Sequence, residues 1–180
     1  LDYSRSGYAG KIISFRQVIN MANSIAIGLA ELKISRDPDD VLVAFGLGSC
    51  LGIGMYDPVL HLGGMLHAVL PLNNDSKAEQ SKYVDSGIMM LLDMMIQAGA
   101  QKQRLITKLA GGANMLNVSS LSSTFDIGNR NIDAAKVTFG KLGIRPKSEE
   151  VGGKIGRTVR LYVADGRYTI RMMGQQEREI

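Results

Sequence analysis

The chain changes its hydrophobic rhythm several times. Residues 1–24 are mixed and polar, with Ile12, Ile13, Phe15 and Val18 as their main apolar positions, and read as an N-terminal extension, partly helical. Residues 25–34 (IAIGLAELKI) read as one or two strands, closed by a polar loop whose Asp37-Pro38 is a turn signal. The stretch VLVAFGLGSCLGIGMYDP is a strand, a glycine turn and a second strand in which Leu51, Ile53 and Met55 alternate with Gly52, Gly54 and Tyr56. Residues 61–72 supply a further strand, stopped by Pro71.

The pattern then turns helical. Val84, Ile88, Leu91, Leu92 and Met95 lie on one face at a period of 3.6, with Gly99 placed as a left-handed C-cap. Met89, Met90 and Met94 are expected to fill core beside that stripe. A strand over residues 105–110 leads to Gly111-Gly112-Ala113-Asn114. A second helix is expected from Asn129 or Asn131, carrying Ile132, Ala135, Phe139 and Leu142 and stopped by Gly143.

Residues 158–164 and 167–173 flank Asp165-Gly166, the pair favoured in a two-residue type I′ hairpin. That register sets Val159 against Met172, Leu161 against Ile170, Val163 against Tyr168, and Arg160 against Arg171. Like charges directly opposed cost some tenths of a kcal/mol. Either the two arginines splay into solvent, or they receive a carboxylate from a partner or a neighbouring segment.

The chain has 180 residues, 45% of them hydrophobic and 21% charged, which describes one ordinary globular domain. Such a length buries about 70% of the surface its unfolded form exposes. One cysteine excludes an internal disulfide framework and multi-cysteine zinc modules. A site from Cys50, His61 and His67 lacks a fourth ligand, so neither metal nor cofactor is expected. The first residues show no basic segment followed by an apolar run, so no signal peptide is expected. The long uncharged stretch over residues 41–72 is broken by Asp57-Pro58, which argues against a membrane span. A free thiol fits a reducing cytoplasm. The net charge of +4 is spread along the chain without a basic cluster among aromatics, so no nucleic-acid partner is expected.

Chemistry that needs sulfur or imidazole must therefore use Cys50, His61 or His67. Cys50 ends the run Gly46-Leu47-Gly48-Ser49, and a glycine turn can present a side chain beside free backbone N–H groups. A thiol nucleophile needs such a place; a buried structural cysteine is the bland alternative. His67 is the lone polar side chain of its strand, either a satisfied core residue or the base for Cys50. Pairing of the two strands through the turn at residues 58–61 brings Cys50 and His67 onto neighbouring strands, whereas His61 falls in the exposed turn.

The run Gly46-Leu47-Gly48-Ser49-Cys50, then Tyr56-Asp57-Pro58, then Gly63-Gly64-Met65-Leu66-His67-Ala68-Val69-Leu70-Pro71 resembles the CheD family of chemoreceptor glutamine deamidases. The likeness continues through Tyr83-Val84-Asp85, Lys108-Leu109-Ala110-Gly111-Gly112-Ala113-Asn114-Met115, Ile127-Gly128-Asn129-Arg130-Asn131, Gly152-Gly153 and Gly156-Arg157. Each glycine motif is weak alone; their order, with cysteine and histidine seventeen positions apart, is specific.

The resemblance implies an α+β fold, a single domain over residues 25–180 with packed β-sheets flanked by helices, as in the deamidase domains of certain bacterial toxins. It implies Cys50 as nucleophile and His67 as general base and acid, converting receptor glutamine to glutamate through a thioester. The implied partners are the cytoplasmic helices of methyl-accepting chemotaxis receptors and a CheC-type phosphatase. One departure stands out. The family commonly has a threonine six residues before the cysteine, orienting the histidine; here it is Ala44, which has no hydroxyl. A backbone carbonyl, a water or a serine such as Ser49 is left to take that role. A milder departure is Lys108-Leu109-Ala110, where an aromatic is usual. Two further readings stay open: a CheD-like binding module with weak or lost catalysis, and a thiol redox sensor, for which the chain holds no resolving cysteine.

Overall fold

The computed structural model describes residues 23–75, 77–114 and 126–180. The N-terminal extension expected over residues 1–24 lies outside them, but for its last two residues. The first strand begins at Asn23, two residues before the expected start of the domain.

Ten strands form two five-stranded sheets. One sheet has the order β1 (Asn23–Ala26), β3 (Asp40–Leu47), β8 (Arg157–Tyr162), β9 (Tyr168–Met172) and β10 (Arg178–Glu179). The other runs β2 (Leu32–Ser35), β5 (Leu62–Ala68), β4 (Leu51–Asp57), β6 (Ile106–Gly111) and β7 (Ser148–Val151). Helices α1 (Val84–Gln97) and α2 (Ile127–Leu142) cover the second sheet, so this is an α+β fold of three layers.

The alternation along β4 sorts its side chains between two cores. Leu51, Ile53 and Met55 join Ile88, Leu91 and Phe139 beneath the helices. The opposite face, with Gly52 and Gly54, meets the first sheet, where Leu42, Val159, Leu161, Tyr168 and Ile170 form the second core. A Cβ on Gly54 would lie 2.7 Å from the Tyr168 ring, so glycine there lets β4 and β9 close up. The Tyr168 hydroxyl donates across the gap to the Gly52 carbonyl at 2.9 Å.

The α1 stripe is buried as its period requires, and Gly99 takes the left-handed conformation after the helix. The methionine expectation is corrected: Met89 and Met90 are exposed and Met94 is half-buried, because they fall off the stripe at 100° per residue. Helix α2 starts earlier than expected, since the Asp126 carboxylate caps the Asn129 N–H at 3.2 Å; Gly143 ends it in the left-handed conformation.

The hairpin register is also corrected. Val159 pairs with Ile170, Leu161 with Tyr168, Arg160 with Thr169, and Thr158 with Arg171. The Tyr162 N–H bonds the Arg167 carbonyl and the Gly166 N–H returns to the Tyr162 carbonyl, closing a longer loop than Asp165-Gly166 alone. A slip of two residues keeps every side chain on its face, so the apolar set stays inside.

Candidate functional site

Strands β4 and β5 pair antiparallel from Asp57 against Leu62 to Leu51 against Ala68, with Gly52 opposite His67. Cys50 follows at the open end of this ladder and packs against the core between the sheets. His67 and Cys50 therefore share the inner face of the sheet, diagonally related on neighbouring strands. His61 lies at the far end of the pair, in an exposed turn, its Nδ1 within 3.0 Å of the Tyr56 hydroxyl and 3.1 Å of the Ala164 carbonyl. Seven residues of β4 at about 3.3 Å each put roughly 20 Å between it and Cys50. Among the described residues, no group of three or more His, Cys, Asp or Glu is placed to hold a metal.

The segment between β1 and β2 grips His67 at three points. Its N–H donates to the Glu31 carbonyl at 2.9 Å and its carbonyl accepts from the Ala30 N–H at 3.0 Å. Its Nδ1 lies 3.2 Å from the Ile27 carbonyl. A carbonyl only accepts, so Nδ1 carries the proton and Nε2 keeps its lone pair. Nε2 is buried and has no protein partner among the described residues. Burial holds the imidazole below its ordinary range, against the Ile27 carbonyl and the Glu31 charge. Of the candidate orienters, the one in place is thus a backbone carbonyl. Ala44 is fully buried in the core between the sheets.

Cys50 is half-buried and free. Burial pushes its thiol up, and its own backbone N–H draws it down less. A β-bulge between Ala44 and Leu47, with Gly46 at φ +63°, turns the chain out of β3 toward it. The Gly111-Gly112 turn holds the loop from the other side: the Gly112 N–H donates to the Cys50 carbonyl at 2.8 Å, and the Ala113 N–H to the Gly48 carbonyl at 2.7 Å. Gly111, at φ +118°, has its Cβ position 2.2 Å from the Cys50 carbonyl oxygen, so no other residue fits.

Asn131 completes the surroundings. It is fully buried on α2, and its Nδ2 donates to the Ser49 carbonyl at 2.8 Å and the Val69 carbonyl at 3.0 Å. Asn131 closes the motif Ile127-Gly128-Asn129-Arg130-Asn131, which by itself gives it no place in the site. Its signal is a polar residue on the stripe Asn131, Ala135, Phe139, where an apolar one is expected. The Ile27 carbonyl has no side-chain signal at all.

The two arginines do not face each other. Arg160 takes a carboxylate from a neighbouring segment, Glu177, at 2.7 Å, while Arg171 is exposed. Both line a groove of about 750 Å³ that Phe45, Ile155 and Met173 also border.

The fold and the site define a two-sheet sandwich, covered by helices on one side, with a free cysteine at the end of one strand and, on the neighbouring strand, a histidine that has one ring nitrogen held and the other without a partner among the described residues. The chain belongs to the CheD chemotactic sensory transduction family, whose pattern it matches over residues 69–172. Relatives named "Probable chemoreceptor glutamine deamidase CheD" extend the likeness. The one from Symbiobacterium thermophilum is 41% identical over 86% of this chain and 96% of its own. Those from Caldanaerobacter subterraneus and Archaeoglobus fulgidus are 40% and 36% identical, over 83% and 84% of this chain and 93% and 94% of theirs. A stretch of 86% of the 180 residues includes both Cys50 and His67 wherever it is placed. Among solved structures, the Bacillus licheniformis hypothetical protein YfiH gives a TM-score of 0.42 at 16% identity, over 66% of this chain and 49% of that one, too distant to inform fold or function.

Proposed function

We propose that this protein deamidates glutamine side chains of methyl-accepting chemotaxis receptors, with Cys50 as nucleophile and His67 as general base and acid. The observation that carries the reading is the His67 ring, with Nδ1 committed to the Ile27 carbonyl and Nε2 open on the face that Cys50 shares. The relatives' shared name supplies the substrate. Nε2 takes the thiol proton as sulfur attacks the carboxamide carbon. The resulting imidazolium returns that proton to the departing nitrogen, releasing ammonia and leaving a thioester. Water, deprotonated by the same Nε2, then hydrolyses the thioester to glutamate and restores the thiol. The partners are the receptors' cytoplasmic helices and a CheC-type phosphatase, which places the protein in the cytoplasm. No described helix is long and apolar enough to cross a membrane.

A second reading, a receptor-docking module with weak catalysis, draws on Ala44, whose methyl group replaces the family's hydroxyl. Incubation with receptor cytoplasmic domains, followed by peptide mass spectrometry, separates the two. Glutamine-to-glutamate conversion lost in Cys50→Ala and in His67→Ala is the expected result. Intact binding without conversion favours docking alone. With the Ile27 carbonyl already holding Nδ1, Ala44→Thr is expected to change the rate by less than about threefold, since one neutral hydrogen bond adds little where another is made.

A further inference from the structure

The ladder between β4 and β5 stops at Leu51 against Ala68, one position short of Cys50. Beyond it the strands part. Val69 and Leu70 turn their N–H groups to the Lys82 carbonyl, while the Cys50 arm leans on the Gly111–Ala113 turn. Where the next rung would stand, the Asn131 carboxamide bridges the arms, one N–H to Ser49 and the other to Val69. Ser49 immediately precedes Cys50, and Val69 follows His67 by two residues. Asn131 itself is anchored, because α2 packs its first turn onto the Gly112 backbone.

We infer that Asn131 is a positioning residue of the Cys50–His67 pair: its two N–H bonds set how far the strand ends part, and so where the thiol stands relative to Nε2. Ordinary core packing asks for an apolar side chain here, and an asparagine whose Oδ1 is buried without a partner among the described residues carries a desolvation cost. That cost is explained by a carboxamide needed for its two donors. No aliphatic side chain of that size bridges two carbonyls.

The inference rests on the proposed roles of Cys50 and His67, so its test reads the pair both through turnover and without it. Turnover of Asn131→Ala on receptor domains is expected to fall roughly 30–100-fold in kcat with KM within about twofold, a share of what a placed base contributes. Independently, iodoacetamide alkylation of Cys50 is followed against pH in wild type, Asn131→Ala, His67→Ala and the double variant. With Nε2 taking the thiol proton as sulfur attacks, Asn131→Ala and His67→Ala are expected to slow alkylation near neutral pH alike, and the double variant no further than His67→Ala, the non-additivity of groups acting as a unit. Wild-type kcat and alkylation in Asn131→Ala, or effects that multiply in the double variant, overturn the inference. Asn131→Ser keeps one donor, serves should the alanine variant not fold, and is expected to lose less; wild-type behaviour from it counts equally against the bridge. Coupled alkylation with no glutamine conversion by wild type refutes the deamidase reading and leaves the positioning role standing.

Discussion

Burial acts on both members of the pair toward neutrality, raising the Cys50 thiol and lowering the His67 imidazole. Both directions favour a neutral thiol and a neutral imidazole at rest. Cys50 alkylation should rise with pH to an inflection above the ordinary thiol value of about 8.5. An inflection below about 7 would show a standing thiolate–imidazolium pair and refute the neutral site. At this scale the candidates Cys50 and His67 stood out in the sequence, because a chain with one thiol and two imidazoles leaves few choices. The partner of His67 Nδ1 did not: it is the main-chain carbonyl of Ile27, and any residue type has one.

Between elements, β4 is the strand on which the rest is built. Its glycines admit the first sheet, its apolar positions face the helices, and its end is locked by Asp57. That buried carboxylate accepts from Arg104 Nε at 2.7 Å and from the N–H groups of Val59, Leu60 and Gln101 at 3.0–3.3 Å. Burial pushes its carboxyl up, but the guanidinium and the three N–H groups outweigh this and hold it below the usual range. The folded group ionises below its unfolded value of about 3.9, so its contribution is complete at neutral pH and fades as pH falls below about 4. Asp57→Ala should cost about 2–3 kcal/mol at pH 7 in urea unfolding and flatten the acid limb of the stability curve. An unchanged acid limb would assign that limb to other carboxylates. The types of most elements followed from period and turn residues, but β7 and β10, short and without an apolar alternation, did not. The hairpin register did not, since Asp165-Gly166 suits a two-residue turn locally while the bond from the Val163 N–H to the Asp40 carbonyl draws the chain into a longer loop.

Across the whole molecule, the second sheet is shared by both cores: β5 sends Leu66 toward the helices and Met65 toward the first sheet. The layers cannot separate without exposing one core while breaking strands that serve the other. Ile88→Ala in one core and Leu161→Ala in the other should each lower stability by about 2–4 kcal/mol and shift a single transition, coincident by far-UV circular dichroism and tyrosine fluorescence. Two resolved transitions would show that the layers unfold independently. The sequence by itself determined most strands, the amphipathic helix and the candidate thiol and imidazole, because periodicity, turn chemistry and scarcity are local or countable properties, while the α+β class came from the resemblance and β7 and β10 carried no signal. Only the tertiary structure decided which backbone carbonyl meets His67 Nδ1, that Asn131 spans the two strand ends, and that Arg160 pairs with Glu177 instead of facing Arg171. Those contacts join residues distant along the chain, and their partners are main-chain atoms or registers that no side-chain pattern records.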